Sequence, residues 1–495
     1  MNAIFSNKKR FLCVMLCLLL ALTFVLSSCG GGGDDNEETT AATTKKPSSG
    51  GQRDNTVEDW LPMNKFEDED GNPTEFLLLN HSDYNKQYAL LEYQPSDDPL
   101  RAAAYSRTMA VAEKFGVAFS NKDEGDVKGM LQSSVMGGGG LYDLIYPIPT
   151  PTQFLEANLI TDLATYENIH LDQPWWNDSA EVYNFDGRVF FAASDFSIAG
   201  QGLVGMIFNR PLWNDLQLDY DLYKMVDDKT WTMAKLREIS MLYGSSADDV
   251  YDEKDSYGLI YWTYVNNEFY WACGGRVIDY DPYYNEYSVA LETELTSQIG
   301  QAIHDLIWNS NNKVFQMRES GWFQFPNSKG WAAYKEGNSL FMTYEIGALF
   351  QHLLTVPFEL GYMPCPTLNE GEEYTALCAS GFFMIPKKTK NPEMSSVVLE
   401  ACNIISYTDV RPAFFNTILL GRMSERPEDF EMLELLHESK IYDLGYTFNQ
   451  GGAVGVLELV LDKKTNMIAG YISGHERDFA QMITNINKIR AGQYD

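Results

Sequence analysis

Beyond residue 26 this 495-residue chain has no uncharged apolar run long enough to cross a bilayer, which takes about 20 residues. The best candidate, Leu340 to Phe358, is broken by Glu345 and His352, so the body reads as soluble. Histidine is scarce: His81, His170, His304, His352, His437 and His475 are too scattered for a local zinc motif, and His475-Glu476 lacks the second histidine of a zincin helix. Basic residues are few, 37 Lys and Arg against 69 Asp and Glu, for a formal charge of −32. Such a surface repels nucleic acid and anionic headgroups without selecting any one partner. Gly137 to Gly140 is followed by Leu141-Tyr142, not by the Gly-Lys-Ser/Thr of a phosphate loop. Gly337-Asn338-Ser339-Leu340-Phe341 fails the nucleophile-elbow pattern at its last position. Asp68-Glu69-Asp70-Gly71 has Phe66 where a calcium loop needs its first acid. No metal, cofactor or catalytic residue is therefore expected. A glycosidase carboxylate pair stays open, because 69 acids fall at almost any separation.

What is present begins at the N-terminus. Lys8, Lys9 and Arg10 precede the apolar stretch Phe11 to Val25, the pattern of a signal peptide. The stretch ends in Leu26-Ser27-Ser28-Cys29-Gly30, which resembles the bacterial lipobox. That resemblance implies cleavage before Cys29, a diacylglyceryl group on its sulfur, and a place on the outer face of the cell membrane. Removing residues 1–28, with three bases and no acid, takes the formal charge from −32 to −35.

From Cys29 to about residue 57 the chain is Gly, Ser, Thr, Lys and acid without apolar periodicity, and reads as a flexible tether. Strand and helix then alternate. Strands are expected at Glu75 to Asn80, Val117 to Ser120 and Tyr142 to Tyr146, with helices at Asp98 to Phe115 and Asp123 to Val135, the second stopped by four glycines. This spacing argues a parallel sheet with right-handed crossovers. Further strands are expected at Gly187 to Ala193, Leu203 to Phe208 and Gly381 to Ile385, with helices at Pro392 to Ser406 and Phe479 to Ala491.

The order of several segments resembles the extracellular solute-binding proteins related to maltose-binding protein. They are Ala102 to Ala118, with Arg107 ahead of Glu113-Lys114-Phe115-Gly116-Val117; Tyr142-Asp143-Leu144-Ile145 with Leu159-Ile160-Thr161-Asp162-Leu163; and Pro174-Trp175-Trp176. Later come Gly205-Met206-Ile207-Phe208-Asn209-Arg210, Lys229-Thr230-Trp231-Thr232, Tyr334 to Phe341, and Leu360 to Pro366. The chain departs from the family where four glycines replace an Ala-Gly-Asp, and Asp281-Pro282-Tyr283-Tyr284-Asn285 matches nothing in it. The resemblance implies an α/β, two-lobed, type II periplasmic-binding-protein-like fold with a hinge. Lobe 1 would comprise 58–202 with 373–428, and lobe 2 203–372 with 429–495. It also implies a monomer that delivers a ligand to the transmembrane subunits of an ABC permease.

For ligand chemistry the sequence offers 10 Trp, 29 Tyr and 27 Phe. A sugar presents flat C–H faces edged by hydroxyls, and calls for aromatic plates beside Asp, Glu, Asn or Arg. By the resemblance, Tyr146, Trp262, Tyr264, Phe269, Tyr270 and Tyr344 fall at or near strand ends facing the cleft. Asp195 precedes the expected crossing between lobes, and Glu345 follows Tyr344. Each is also an ordinary core or surface residue by composition, and Trp175 and Trp176 read as structural. Three functions stay open: a carbohydrate-binding component of an importer, a surface glycan-active enzyme, and a sensor or adhesin on the same fold. Cys365 and Cys378 flank a polar loop and would come within disulfide reach if their strands pair; otherwise they are separate buried thiols.

Overall fold

An aspartate followed by a proline starts the first long helix, and a glycine ends it. In the computed structural model Asp98 accepts the backbone N–H groups of Leu100 and Arg101, and Gly116 closes the helix at φ +60°. The structure describes residues 56–81, 91–147, 151–198, 203–248, 254–262, 266–291, 294–317, 329–345, 356–378, 381–415, 426–449 and 468–494. The expected signal peptide, Cys29, the tether up to residue 55, Tyr264 and the side chain of Trp262 lie outside the described residues.

The first part runs β1 (Thr74–His81), α1 (Pro99–Phe115), β2 (Val117–Glu124), α2 (Val127–Met136) and β3 (Leu144–Tyr146). Its three strands form a parallel sheet ordered β2-β1-β3, Thr74 opposite Val117 and Leu78 opposite Leu144. β1 is apolar on both faces because both are covered. Phe76 and Leu78 pack with Val111, Phe115, Trp175 and Trp176, while Leu79 joins Leu100, Ala104 and Ile145 in a separate cluster. The glycine run after α2 is needed for close approach: a Cβ on Gly140, at φ +79°, would sit 2.8 Å from the Lys390 side chain.

The middle part runs β4 (Val204–Asn209), β5 (Gly244–Ser245), β6 (Ser256–Trp262), α3 (Asn266–Ala272), β7 (Ile278–Asp281), β8 (Glu286–Val289), α4 (Glu294–Trp308), β9 (Val314–Met317), β10 (Ser339–Glu345) and β11 (Leu360–Met363). Here a mixed sheet is ordered β11-β4-β10-β6-β5, with β9 beside β6, and β7-β8 stands apart as a hairpin. The last part runs β12 (Ala376–Leu377), α5 (Pro392–Ile405), α6 (Arg411–Phe414), α7 (Pro427–Glu438), β13 (Lys440–Ile441) and α8 (Glu476–Arg490). α5 returns to the core of the first sheet, whereas α7 lies against β11 of the second. Arg210 Nη2 donates to both carboxylate oxygens of Asp429, at 2.7 and 2.8 Å, and fixes α7 there.

Arg107 on α1 is buried and donates to the Phe196 carbonyl at 3.1 Å and to Ser406 Oγ at 3.0 Å. It thereby ties α1 to the segment leading into β4 and to the end of α5. Trp175 and Trp176 are fully buried, and both indoles donate to the carboxylate of Glu400 on α5, at 2.8 and 3.1 Å.

Two expectations are corrected, and one open alternative is decided. Residues 187–193 form no strand: Val189 N–H goes to the Asp162 carboxylate and Val189 C=O receives Leu163 N–H, so no ladder forms although 189–193 are buried. Residues 381–385 make only isolated bridging contacts, Met384 with Ile145. Cys365 and Cys378 are buried free thiols, because β11 pairs with β4 and β12 with β13, which leaves the two segments unpaired.

Candidate functional site

The strand ends named from sequence converge where the chain passes from the first sheet to the second. β3 ends in Tyr146, fully buried, its hydroxyl 2.7 Å from Ser197 Oγ and its ring 4.4 Å from that of Phe383. Only a glycine fits behind it, since a Cβ on Gly381 would lie 2.4 Å from the Tyr146 hydroxyl. On the second sheet, β10 ends in Tyr344 and Glu345, paired with Gly205 and Val204 of β4. Tyr344 is buried with its ring 5.6 Å from that of Trp331. β6 ends at Trp262, whose backbone pairs with Met317. The crossing itself is pinned where Leu203 bridges Cys378.

Helix α3 starts just beyond β6 and carries Glu268, Phe269 and Tyr270. Phe269 is core, and Tyr270 turns away, donating to the Arg276 carbonyl at 2.8 Å with Thr296 Oγ1 at 3.1 Å. Burial lifts the Tyr270 phenol to about 12. Glu268 is the residue the sequence reading missed. It is buried and accepts the Leu377 N–H at 3.3 Å. Burial raises its carboxyl well above the ordinary range, and the charge of Glu345 adds to this. Glu345 also acts on the Tyr146 phenol and the Cys378 thiol, the latter raised by burial to about 11. Tyr146, Glu268, Glu345 and Cys378 thus share one electrostatic neighbourhood, drawn from both sheets. The available signal for Glu268 was an acid immediately before the apolar run Phe269-Tyr270-Trp271 at a helix start.

Asp195 sits apart from this group, on the first-sheet side. It accepts the Asn177 amide at 2.9 Å and Arg411 at 3.4 Å. Burial raises its carboxyl, and Arg411 opposes the shift. Arg411 also donates to His437 Nε2 at 2.7 Å, and Lys440 donates to Asn177 at 3.1 Å. Arginine has no acceptor, so the His437 proton must be on Nδ1. Burial, followed by the charges of Lys440 and Arg411, holds His437 down to about 2, so the ring is a neutral acceptor. This network joins α7 and β13 to the loop at Asn177. Beside it run two adjoining grooves of about 630 and 530 Å³, which share Tyr407, Arg411, His437 and Glu438. Among the described residues no group of three or more His, Cys, Asp or Glu is placed to hold a metal ion.

No family model matches the sequence, and no curated protein matches it by sequence. Solved structures match its shape. A cyclic α-maltosyl-1,6-maltose binding protein from Arthrobacter globiformis aligns with TM-score 0.53 and 13% identity, over 84% of this chain and 100% of that one. An ABC substrate-binding protein from Listeria monocytogenes, in complex with cycloalternan, aligns with TM-score 0.52 and 13% identity, over 85% and 100%. The fold is that of the ABC substrate-binding proteins. UgpB from Mycobacterium tuberculosis, in complex with glycerophosphocholine, aligns with TM-score 0.51 and 13% identity, over 85% and 98%. Ligands as different as a cyclic sugar and a phosphodiester are bound on this fold, so the fold does not choose between them.

Proposed function

We propose that the protein is a lipid-anchored extracellular solute-binding protein that captures a carbohydrate, an oligosaccharide, and passes it to the transmembrane subunits of an ABC importer. The observation that carries this reading is the meeting of strand ends from two sheets at a crossing pinned by Leu203 and Cys378, on a fold shared with ABC substrate-binding proteins. In this reading the sheets belong to two lobes, 58–202 with 373–428 and 203–372 with 429–495, and a hinge closes them on the ligand. Trp262, Tyr264 and Glu345 are the proposed ligand contacts; Glu345 ends β10. The buried Tyr146 and Tyr344 shape the wall behind them, whereas Asp195, Phe269 and Tyr270 are held by partners away from it. A neutral ligand suits a neighbourhood that holds Glu268 and Glu345. The anchor is Cys29, and the chain acts as a monomer without cofactor. Among the described residues no helix is long and apolar enough to cross a membrane.

The proximity of Glu268 and Glu345 is the one observation favouring a glycan-cleaving enzyme. Against it, Glu268 is 5% exposed and spends its hydrogen bond on Leu377 N–H. A carboxyl so enclosed does not reach a glycosidic oxygen.

The reading is tested by melting the chain from Arg53 onward with a panel of neutral oligosaccharides. A ligand at about a hundred times its Kd adds about 2.7 kcal/mol to the folded state. At least one sugar is expected to raise Tm by several degrees and to shift tryptophan fluorescence. A panel with no effect, beside a clear rise with peptides or phosphodiesters, would refute the carbohydrate assignment.

A further inference from the structure

The stretch Asp281-Pro282-Tyr283-Tyr284-Asn285, which matched nothing in the family pattern, forms the tip of the β7-β8 hairpin. Its backbone is held firmly. Asp281 Oδ1 accepts the N–H groups of Tyr283 and Tyr284 at 2.8 and 3.1 Å. Asn285 takes the left-handed conformation at φ +53°, and its side-chain carbonyl accepts the Tyr280 hydroxyl at 2.7 Å. From below, Arg490 at the end of α8 donates to the Asn285 backbone carbonyl at 2.9 Å and lies 5.5 Å from the Tyr287 ring centroid. Arg490 is itself fixed by Asp186 at 2.9 Å.

On this fixed frame Tyr280, Tyr283 and Tyr284 face water, while Tyr287 is half-buried against the core. Tyr280 and Tyr287, opposite one another in register, have centroids 4.7 Å apart. Tyr283 and Tyr284 are 85% and 68% exposed, their rings set at 88°. Other exposed large apolar side chains among the described residues, such as Met63, Met136, Leu141 and Leu242, are scattered through the sequence. Single exposed apolar residues need no explanation, but a cluster on a rigid tip does.

We infer that this hairpin is a second carbohydrate-binding site, which takes sugar units of a neutral polysaccharide and lies outside the site proposed above. The choice of ligand class rests on the carbohydrate reading; the hairpin geometry does not. Ring faces of Tyr283 and Tyr284 suit the C–H faces of a sugar, and the exposed carboxylates of Asp279 and Glu286 accept its hydroxyls. Residues 277–289 contain no lysine or arginine, and the Arg490 guanidinium packed on the hairpin is paired with Asp186, which disfavours a polyanion such as nucleic acid or an acidic lipid surface. A stable protein interface buries about 800 Å² per side around an apolar centre. A tip of tyrosines interleaved with acids does not supply that centre. Because the backbone is already ordered, binding costs little loop entropy.

The test is affinity electrophoresis of the whole mature chain in native gels containing amylopectin, xylan, galactomannan or mixed-linkage glucan. At least one polysaccharide is expected to retard the wild type. Tyr283→Ala with Tyr284→Ala is expected to weaken that retention roughly tenfold or more, on the scale of losing an aromatic anchor. Melting temperature and affinity for a short oligosaccharide in the site between the sheets should not change. Tyr283→Phe with Tyr284→Phe, which keeps both rings, should retain most of the binding. No retardation by any of the four polysaccharides overturns the inference, and so does equal retardation of wild type and the alanine variant. Loss of short-oligosaccharide binding with gel retardation intact would defeat the function proposed above and leave this site standing.

Discussion

Glu400→Ala is expected to lower the free energy of unfolding by about 3–5 kcal/mol, on the scale of breaking a buried charged network. Glu400 is fully buried on α5. Its two oxygens accept Trp175 Nε1, Trp176 Nε1 and the backbone N–H of His170, at 2.8, 3.1 and 3.0 Å. Alanine removes all of these acceptors at once and leaves two indole N–H groups in a dry core, each at a cost of about 1–3 kcal/mol. Glu400→Gln should lose less, because one oxygen still accepts while the new amide opposes the second indole. Urea unfolding followed by tryptophan fluorescence reads the change directly. A loss under about 1 kcal/mol for the alanine variant would mean that the tryptophans find other partners and that Glu400 is not the anchor of this core.

Cys29→Ala, made behind a signal peptide whose cleavage does not depend on Cys29, should release the folded protein from membranes. Two acyl chains on one sulfur hold firmly because each buried methylene contributes about 0.8 kcal/mol, whereas one chain alone is marginal. Apart from the signal stretch, the sequence contains no other uncharged run that could substitute. Metabolic labelling with palmitate should mark the wild type alone, and fractionation should move the variant from pellet to supernatant. Equal labelling of both would sink the assignment of Cys29.

The first sheet was legible because its signals are local. Asp98-Pro99 and Gly116 bracket α1, and β1 and β3 are short apolar runs of strand length. The segment 187–193 shows the opposite case. Val189-Phe190-Phe191 has the composition of a strand, but its hydrogen bonds go to a side chain and a loop, which only the tertiary structure decides. The candidate site divides in the same way. Tyr146, Tyr344 and Glu345 end strands, as a strand reading places them. The partners of Asp195 are not local: Arg411 lies 216 residues away, and Lys440 and Asn177, which complete the network, are 263 residues apart. No periodicity carries such pairings. Glu268 escaped for a further reason, since its effect depends on full burial beside Glu345.

The central claim is that the protein holds an oligosaccharide between its two sheets and leaves it unaltered. Calorimetric titration of neutral oligosaccharides into the chain from Arg53 onward, with the sugar recovered and chromatographed afterwards, measures both halves of that claim on one sample. The account predicts saturable binding of one sugar per chain and its quantitative recovery at the original length. Shortened products, or no heat with any sugar in a broad panel, would contradict it.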